Sequence, residues 1–216
     1  MSYEATSKRY VSDNFPYWGS LSSIRRIVGK EKTVLDVGCA SGYLGDLLMR
    51  DGNIMYGVDG NRSAIEKAKG RYEEALCIDL NEPAHFFNDT RFDVIVFADV
   101  LEHLLDPESI LRYCTGLLKP NGRIIVSLPN VALWRIRLQL LCGRFQYTDY
   151  GVLDKTHLHL YTFKTAKELM QVSGLRTISE RGAMNFMPFG ILVSIFPFLK
   201  SWLSIHIVIE AEKSST

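Results

Sequence analysis

Short apolar runs alternate with amphipathic stretches along most of this chain. Val34, Leu35 and Val37, then Ile54 to Val58, Ala75 to Ile78 and Phe92 to Ala98, carry few polar interruptions, as strands covered on both faces do. Leu117 to Pro129 holds a Lys119-Pro120-Asn121-Gly122 turn and then a fifth such run. Between these runs helical periodicity predicts helices over Leu21 to Val28, Leu44 to Arg50, Ser63 to Lys69, Pro107 to Leu118 and Thr165 to Val172. Asp106-Pro107 makes a helix start with proline in the first turn, and Gly174 makes a stop. Two later strands are expected over Leu175 to Glu180 and Ser204 to Ala211. The alternation predicts an α/β, doubly wound, mostly parallel sheet with helices on both faces.

Two apolar stretches interrupt that rhythm. Val131 to Phe145 carries Trp134, Leu138, Leu141 and Phe145 at helical spacing, with Arg135, Arg137 and Arg144 among them. It reads as a lid or insertion helix packed on the domain, or as a cationic wall for an anionic ligand. Phe186 to Leu203 is nearly all apolar but contains Pro188, Gly190, Pro197 and Lys200. A spanning helix wants about 20 uninterrupted apolar residues, so no transmembrane segment is expected. Packing against the domain or a second subunit, contact with a lipid-linked molecule and peripheral membrane contact all fit this stretch.

The chemistry concentrates where the first strand ends. Gly38 and Gly42 bracket a turn into a helix, and Ala40-x-Gly42-x-x-Gly45 narrowly misses the glycine fingerprint of dinucleotide sites. The second strand closes on Asp59, followed by Gly60, and a carboxylate there can accept from both hydroxyls of a ribose. Asp36 sits just before the loop, where an anion suits a cationic ligand better than a diphosphate. Asp79 and Leu80 follow the third strand, and Ala98 and Asp99 close the fourth. Each acid also has a structural reading: Asp59 as the cap of the next helix, Asp79 as a turn residue before Asn81. His103, past the fourth strand, can act as a general base or pack its loop.

In these ordered motifs, over roughly residues 30 to 130, the chain resembles the class I S-adenosylmethionine-dependent methyltransferases. Within them it is similar to small-molecule O-methyltransferases of the ubiquinone type and of sugar and lipopolysaccharide modification. The segment Asp154-Lys155-Thr156-His157-Leu158-His159-Leu160-Tyr161-Thr162, ahead of a helix and Ser173-Gly174-Leu175, supports that narrower likeness. The resemblance implies a single domain over 1–216 with a seven-stranded Rossmann-like sheet. Its last strand would run antiparallel between its neighbours, with a helical or lid insertion after strand five. Substrate and lid elements are expected at about 131–163 and 184–203.

The resemblance also implies S-adenosylmethionine as cofactor, with Asp36, Gly38, Cys39, Ala40, Gly42, Tyr43, Asp59, Gly60, Asp79, Leu80, Ala98 and Asp99 around it. His103 is the expected base. His157, His159 and Tyr161 share one face of an extended segment and are expected to meet the acceptor. Asp154 with His157 and His159 has the residue types of a metal site, but methyl transfer from a sulfonium needs no metal, and none is expected.

Composition narrows the field without adding chemistry. At 216 residues, 47% hydrophobic and net charge +1, the chain can bury a full core and has no bulk charge to draw it onto nucleic acid. Cys39, Cys77, Cys114 and Cys142 form no C-x-x-C pair and read as reduced core thiols of a cytoplasmic protein. The partner expected is a small-molecule acceptor, anionic or lipid-linked in some readings: a sugar hydroxyl, a lipid-linked glycan or a quinone-like phenol. A homo-oligomer is compatible with the sequence. A methyltransferase-like binding protein and a nicotinamide-dependent dehydrogenase are the competing classes.

Overall fold

The computed structural model describes residues 19–82, 85–184, 196 and 199–214. Its elements are α1 (Ser20–Val28), β1 (Thr33–Val37), α2 (Tyr43–Met49), β2 (Ile54–Asp59), α3 (Arg62–Ala68), β3 (Glu74–Cys77) and β4 (Phe92–Ala98). A 3-10 turn (Leu101–His103), α4 (Pro107–Gly116), β5 (Leu118–Pro129), α5 (Trp134–Leu141), α6 (Phe163–Val172), β6 (Leu175–Ala183), α7 (Lys200–Leu203) and β7 (His206–Lys213) follow. The strands form one seven-stranded sheet in the order β3-β2-β1-β4-β5-β7-β6. β1 pairs in parallel with β2 and with β4, β2 with β3, and β4 with β5. β7 lies antiparallel between β5 and β6, as the family likeness implies.

The two-sided burial of the strands follows from their alternation. Val34, Val94, Val96 and Ile125 point to one face and pack with Ile24 and Val28 of α1 and Leu44 and Leu48 of α2. Leu35, Val37, Ile95, Phe97, Ile124 and Val126 point to the other, under α4 and α6. Helix ends follow the local chemistry. The Asp106 side chain accepts from the Ser109 N–H at 3.0 Å at the head of α4. Thr162 and Thr165 form a reciprocal cap on α6. Gly174, at φ +78°, ends α6 with a backbone turn that side chains rarely adopt.

The departures from expectation lie near chain reversals. α4 ends at Gly116, and β5 begins at Leu118 rather than continuing the helix. β7 starts at His206, not Ser204, because a short α7 occupies Lys200–Leu203. The apolar stripe expected to pack α5 onto the domain faces outward: Leu138 is 52% and Leu141 83% exposed, and Ile136 is the buried residue of the helix. Arg137 is not a free cationic wall, since its Nε donates to the Ala132 carbonyl and its guanidinium lies 4.6 Å from the Trp202 ring. Cys39 and Cys114 are buried thiols, whereas Cys77 and Cys142 are exposed rather than in the core. Most of the apolar stretch 186–203 lies outside the described residues, and no described helix is long and apolar enough to cross a membrane.

Candidate active site

The strand order reverses at β1, whose neighbours β2 and β4 send their following segments in opposite directions. In an open parallel sheet that reversal leaves a crevice at the carboxyl ends of the strands, where ligands sit. The loop after β1 and the turn after β4 therefore border the same opening from adjacent strands.

The loop after β1 folds tightly back on β2. Gly38 and Cys39 both donate backbone N–H bonds to the Val58 carbonyl, at 2.8 and 3.0 Å, and Gly42 donates to the Cys39 carbonyl at 2.9 Å. Gly38 has φ +75°, and a Cβ there would lie 2.4 Å from Val100 Cγ2, so a side chain at this position would force Val100 to shift. Ala40 takes φ +52°, a left-handed conformation that its small side chain tolerates. Its N–H donates to Asp59 Oδ2 at 2.9 Å, while Asp59 Oδ1 accepts from the Asn61 N–H at 2.8 Å. Asp59 therefore ties the loop to the end of β2. It is not the helix cap, because the Asn61 side chain fills that role by accepting from the Ala64 N–H.

Two residues expected around the ligand face elsewhere. The Asp36 carboxylate is buried and accepts the Tyr72 hydroxyl at 2.7 Å. Burial pushes its pKa up to about 7, against the lowering effect of the Tyr72 bond and with a further rise from Asp59. It is thus not the permanent anion that its position in the sequence suggested. The Cys39 side chain is likewise in the core, where burial raises its thiol pKa, and its N–H is spent on β2. Tyr72, which the sequence did not flag, packs beneath the loop closely enough that a Cβ on Gly42, Gly45 or Gly57 would collide with its ring or press against it. Tyr43 is partly buried against the same cluster. Gly60 and Asp79 are exposed, and Asp79 Oδ1 accepts from the Asn81 N–H at 2.9 Å, the turn geometry of its structural reading. Leu80 packs partly buried against the core.

The turn after β4 carries a second set of groups. Ala98 is buried, and Asp99 follows at φ +56°, a strained conformation for a residue with a side chain. Asp99 Oδ1 accepts from Ser127 Oγ at 2.7 Å, and His206 Nε2 lies 3.6 Å from Oδ2. Glu102 is 1% exposed, and neither carboxyl oxygen has a hydrogen-bond partner among the described residues. Burial first, and the Asp99 charge second, hold its pKa well above the usual carboxylate range. The Glu102 backbone carbonyl accepts from the N–H groups of Leu158 and His159, at 2.8 and 3.2 Å, which docks the distant 157–159 segment on the turn.

That docking sets the histidines. The exposed His103 ring lies 4.8 Å from the His157 ring, centre to centre, and its Nδ1 lies 3.2 Å from the Thr156 carbonyl. His157 Nδ1 lies 3.0 Å from the Val152 carbonyl. A carbonyl only accepts, so in both rings the proton sits on Nδ1 and the neutral ring keeps its lone pair on Nε2. Burial also lowers the His157 pKa, favouring the neutral form. His159 and Tyr161 do not join this group. They line a shallow groove of about 380 Å³ with Leu105, Asp106 and Glu108, His159 Nε2 donating to the Leu104 carbonyl. Asp154 is also elsewhere, accepting from the Thr156 N–H and hydroxyl, each at 2.8 Å. Glu102 had a visible signal in the chain, an acid adjoining His103 at a strand end; Tyr72 had none.

Residues 14–180 match a family model described as a methyltransferase domain. Among curated proteins the chain is similar to the ubiquinone biosynthesis O-methyltransferase of Coxiella burnetii, 36% identical over 112 residues, covering 49% of this chain and 47% of that protein. It is 39% identical over 116 residues to the protein of that name from Pasteurella multocida, covering 47% and 48%. The matches span about half the length of these curated relatives. A SAM-dependent methyltransferase of Thermotoga maritima superposes with a TM-score of 0.70 at 16% identity, covering 98% of this chain and 96% of that one. Magnesium protoporphyrin IX methyltransferase from Synechocystis, solved with SAH bound, superposes with a TM-score of 0.66 at 16% identity, over 98% and 94%. Likenesses at such identities establish the fold.

Proposed function

Because the chain belongs to the class I S-adenosylmethionine-dependent methyltransferases, we propose that it moves the methyl group of that cofactor to a hydroxyl oxygen of a small-molecule acceptor. The observation that carries this reading is the adjacency of two edges on neighbouring strands: the loop tied to Asp59 after β1, and the Asp99–His103 turn after β4. On the first edge, Gly38, Ala40 and Gly42 admit the methionine part. Asp59 takes the ribose hydroxyls, and Asp79 with Leu80 flanks the adenine. Ala98 and Asp99 line the middle.

On the second edge, the acceptor oxygen attacks the methyl carbon in line with the carbon–sulfur bond. The bond's electron pair goes to sulfur, leaving a neutral thioether, and the hydroxyl proton goes to His103 Nε2. The sulfonium already makes the carbon electrophilic, so alignment and proton removal are what the protein has to add. The acidic groove beside His159 and Tyr161, with Asp106, Glu108 and Glu168, argues against seating an anionic acceptor there.

A quinone-like phenol leads the acceptor classes, since the relatives named above are ubiquinone biosynthesis O-methyltransferases. Sugar hydroxyls and lipid-linked glycans follow, the latter supported by the exposed apolar side of α5. The test is calorimetric titration with S-adenosylmethionine, S-adenosylhomocysteine and NADH, followed by an acceptor screen begun with phenols and sugars. Saturable binding of the adenosyl compounds and methyl transfer to one acceptor class is the expected result. Binding without transfer to any acceptor would favour the binding-protein reading, and preference for NADH would overturn the proposal.

A further inference from the structure

We propose that Glu102, His103 and His157 form a binding site for a divalent first-row transition-metal ion beside the acceptor position. One ligand atom from each of the three lies within 4.8 Å of the others. The independent observation is the state of Glu102: a carboxyl group 1% exposed, the one buried side chain among the described residues with two oxygens that both lack a hydrogen-bond partner. Packing alone gives no reason to bury such a group, whereas a cation would satisfy both oxygens.

The histidines are set for the same purpose. Each holds its Nδ1 proton on a backbone carbonyl, which selects the tautomer and leaves Nε2 as the donor, the arrangement that orients imidazoles toward a metal. A carboxylate with two imidazoles suits zinc, manganese, cobalt or iron(II) and leaves coordination positions open. Ligand atoms about one ion stand roughly 3 Å apart, so the three groups have to draw together by about 1–2 Å around it. Asp99 adds negative potential, acting on both Glu102 and His157. The sequence offered Asp154, His157 and His159 as the candidate ligand set, set aside because methyl transfer from a sulfonium needs no metal; the structure assembles a different trio.

The use of the ion rests on the methyl-transfer reading above; its binding does not. An acceptor hydroxyl in an open coordination position would be acidified and release its proton to water, with His103 acting as a ligand in that state. The test is titration of the metal-free protein with Mn²⁺ and Co²⁺ alone, followed by calorimetry and by the visible spectrum of bound Co²⁺. S-adenosylhomocysteine affinity is measured on every variant.

One saturable site is expected, weakened at least tenfold in Glu102→Gln, His103→Ala and His157→Ala and unchanged in His159→Ala, with the Co²⁺ spectrum altered in the first three alone. Absence of saturable binding in wild type that binds S-adenosylhomocysteine overturns the proposal. So does equal binding in wild type and His157→Ala. If Glu102→Gln does not fold, the two histidine variants decide. Wild type that binds the metal but not S-adenosylhomocysteine would sink the methyl-transfer reading and leave the metal site standing.

Discussion

The two edges of the candidate site are built in opposite ways. The edge after β1 is knit from residues close in sequence: the loop at Gly38 to Gly42 hangs on the end of β2 through the Val58 carbonyl and the Asp59 carboxylate. The edge after β4 joins Glu102 and His103 to a segment some fifty residues later, which docks through two backbone bonds to one carbonyl. The first edge is backbone held to β2 by hydrogen bonds from Gly38, Cys39 and Ala40. The second holds an exposed imidazole and a buried acid whose carboxyl oxygens have no hydrogen-bond partner among the described residues. A binding cradle gains from the first kind of construction and a reacting centre from the second, because unspent polar capacity is what can engage a substrate.

If that division holds, damage to one edge should leave the other working. The largest separation is expected for His103→Ala, which should lower kcat by roughly 10²–10⁴-fold while changing S-adenosylhomocysteine affinity less than about threefold. Steady-state kinetics beside calorimetry checks it. Loss of cofactor affinity in this variant would show that the edges are not separable.

The next effect concerns the core under the first edge. Asp36, with its pKa at about 7, holds a proton in the folded state that the unfolded chain has already lost. Stability should therefore fall as pH rises from about 4 to about 7, by an amount on the order of 4 kcal/mol at most, and change little from this group above that. Asp36→Asn should flatten that slope in urea melts taken across the same range. A slope that survives unchanged would mean that Asp36 is ionised throughout.

Asp59→Ala removes the acceptor for two backbone N–H groups and for the proposed ribose contact. A loss of roughly 100-fold in S-adenosylhomocysteine affinity is expected, about 2–3 kcal/mol, with wild-type affinity the result that would remove the assignment. Gly38→Ala should cost roughly 1–3 kcal/mol of stability, because its methyl meets Val100 at a backbone angle alanine resists. That loss is read as a drop in melting temperature. The smallest effect is expected at α5: Leu141→Ser should shift stability by less than about 0.5 kcal/mol, since the side chain is 83% exposed. A larger loss would mean that α5 is covered in solution.

What the sequence determined by itself is what short-range physics controls. The two-sided strands from β1 to β5, the Asp106-Pro107 helix start and the Gly174 stop were all legible there. So was the order of acids at successive strand ends, because each follows from periodicity, capping or backbone freedom within a few residues. Tertiary structure decided where side chains point once elements pack. Asp36 turns to Tyr72 rather than to the opening, since alternate residues of a strand share a face and that face meets Tyr72. His157 joins Glu102 and His103 instead of His159 and Asp154, because the arm that carries it docks on the Glu102 carbonyl, a contact between segments too far apart in the chain for any local pattern to encode.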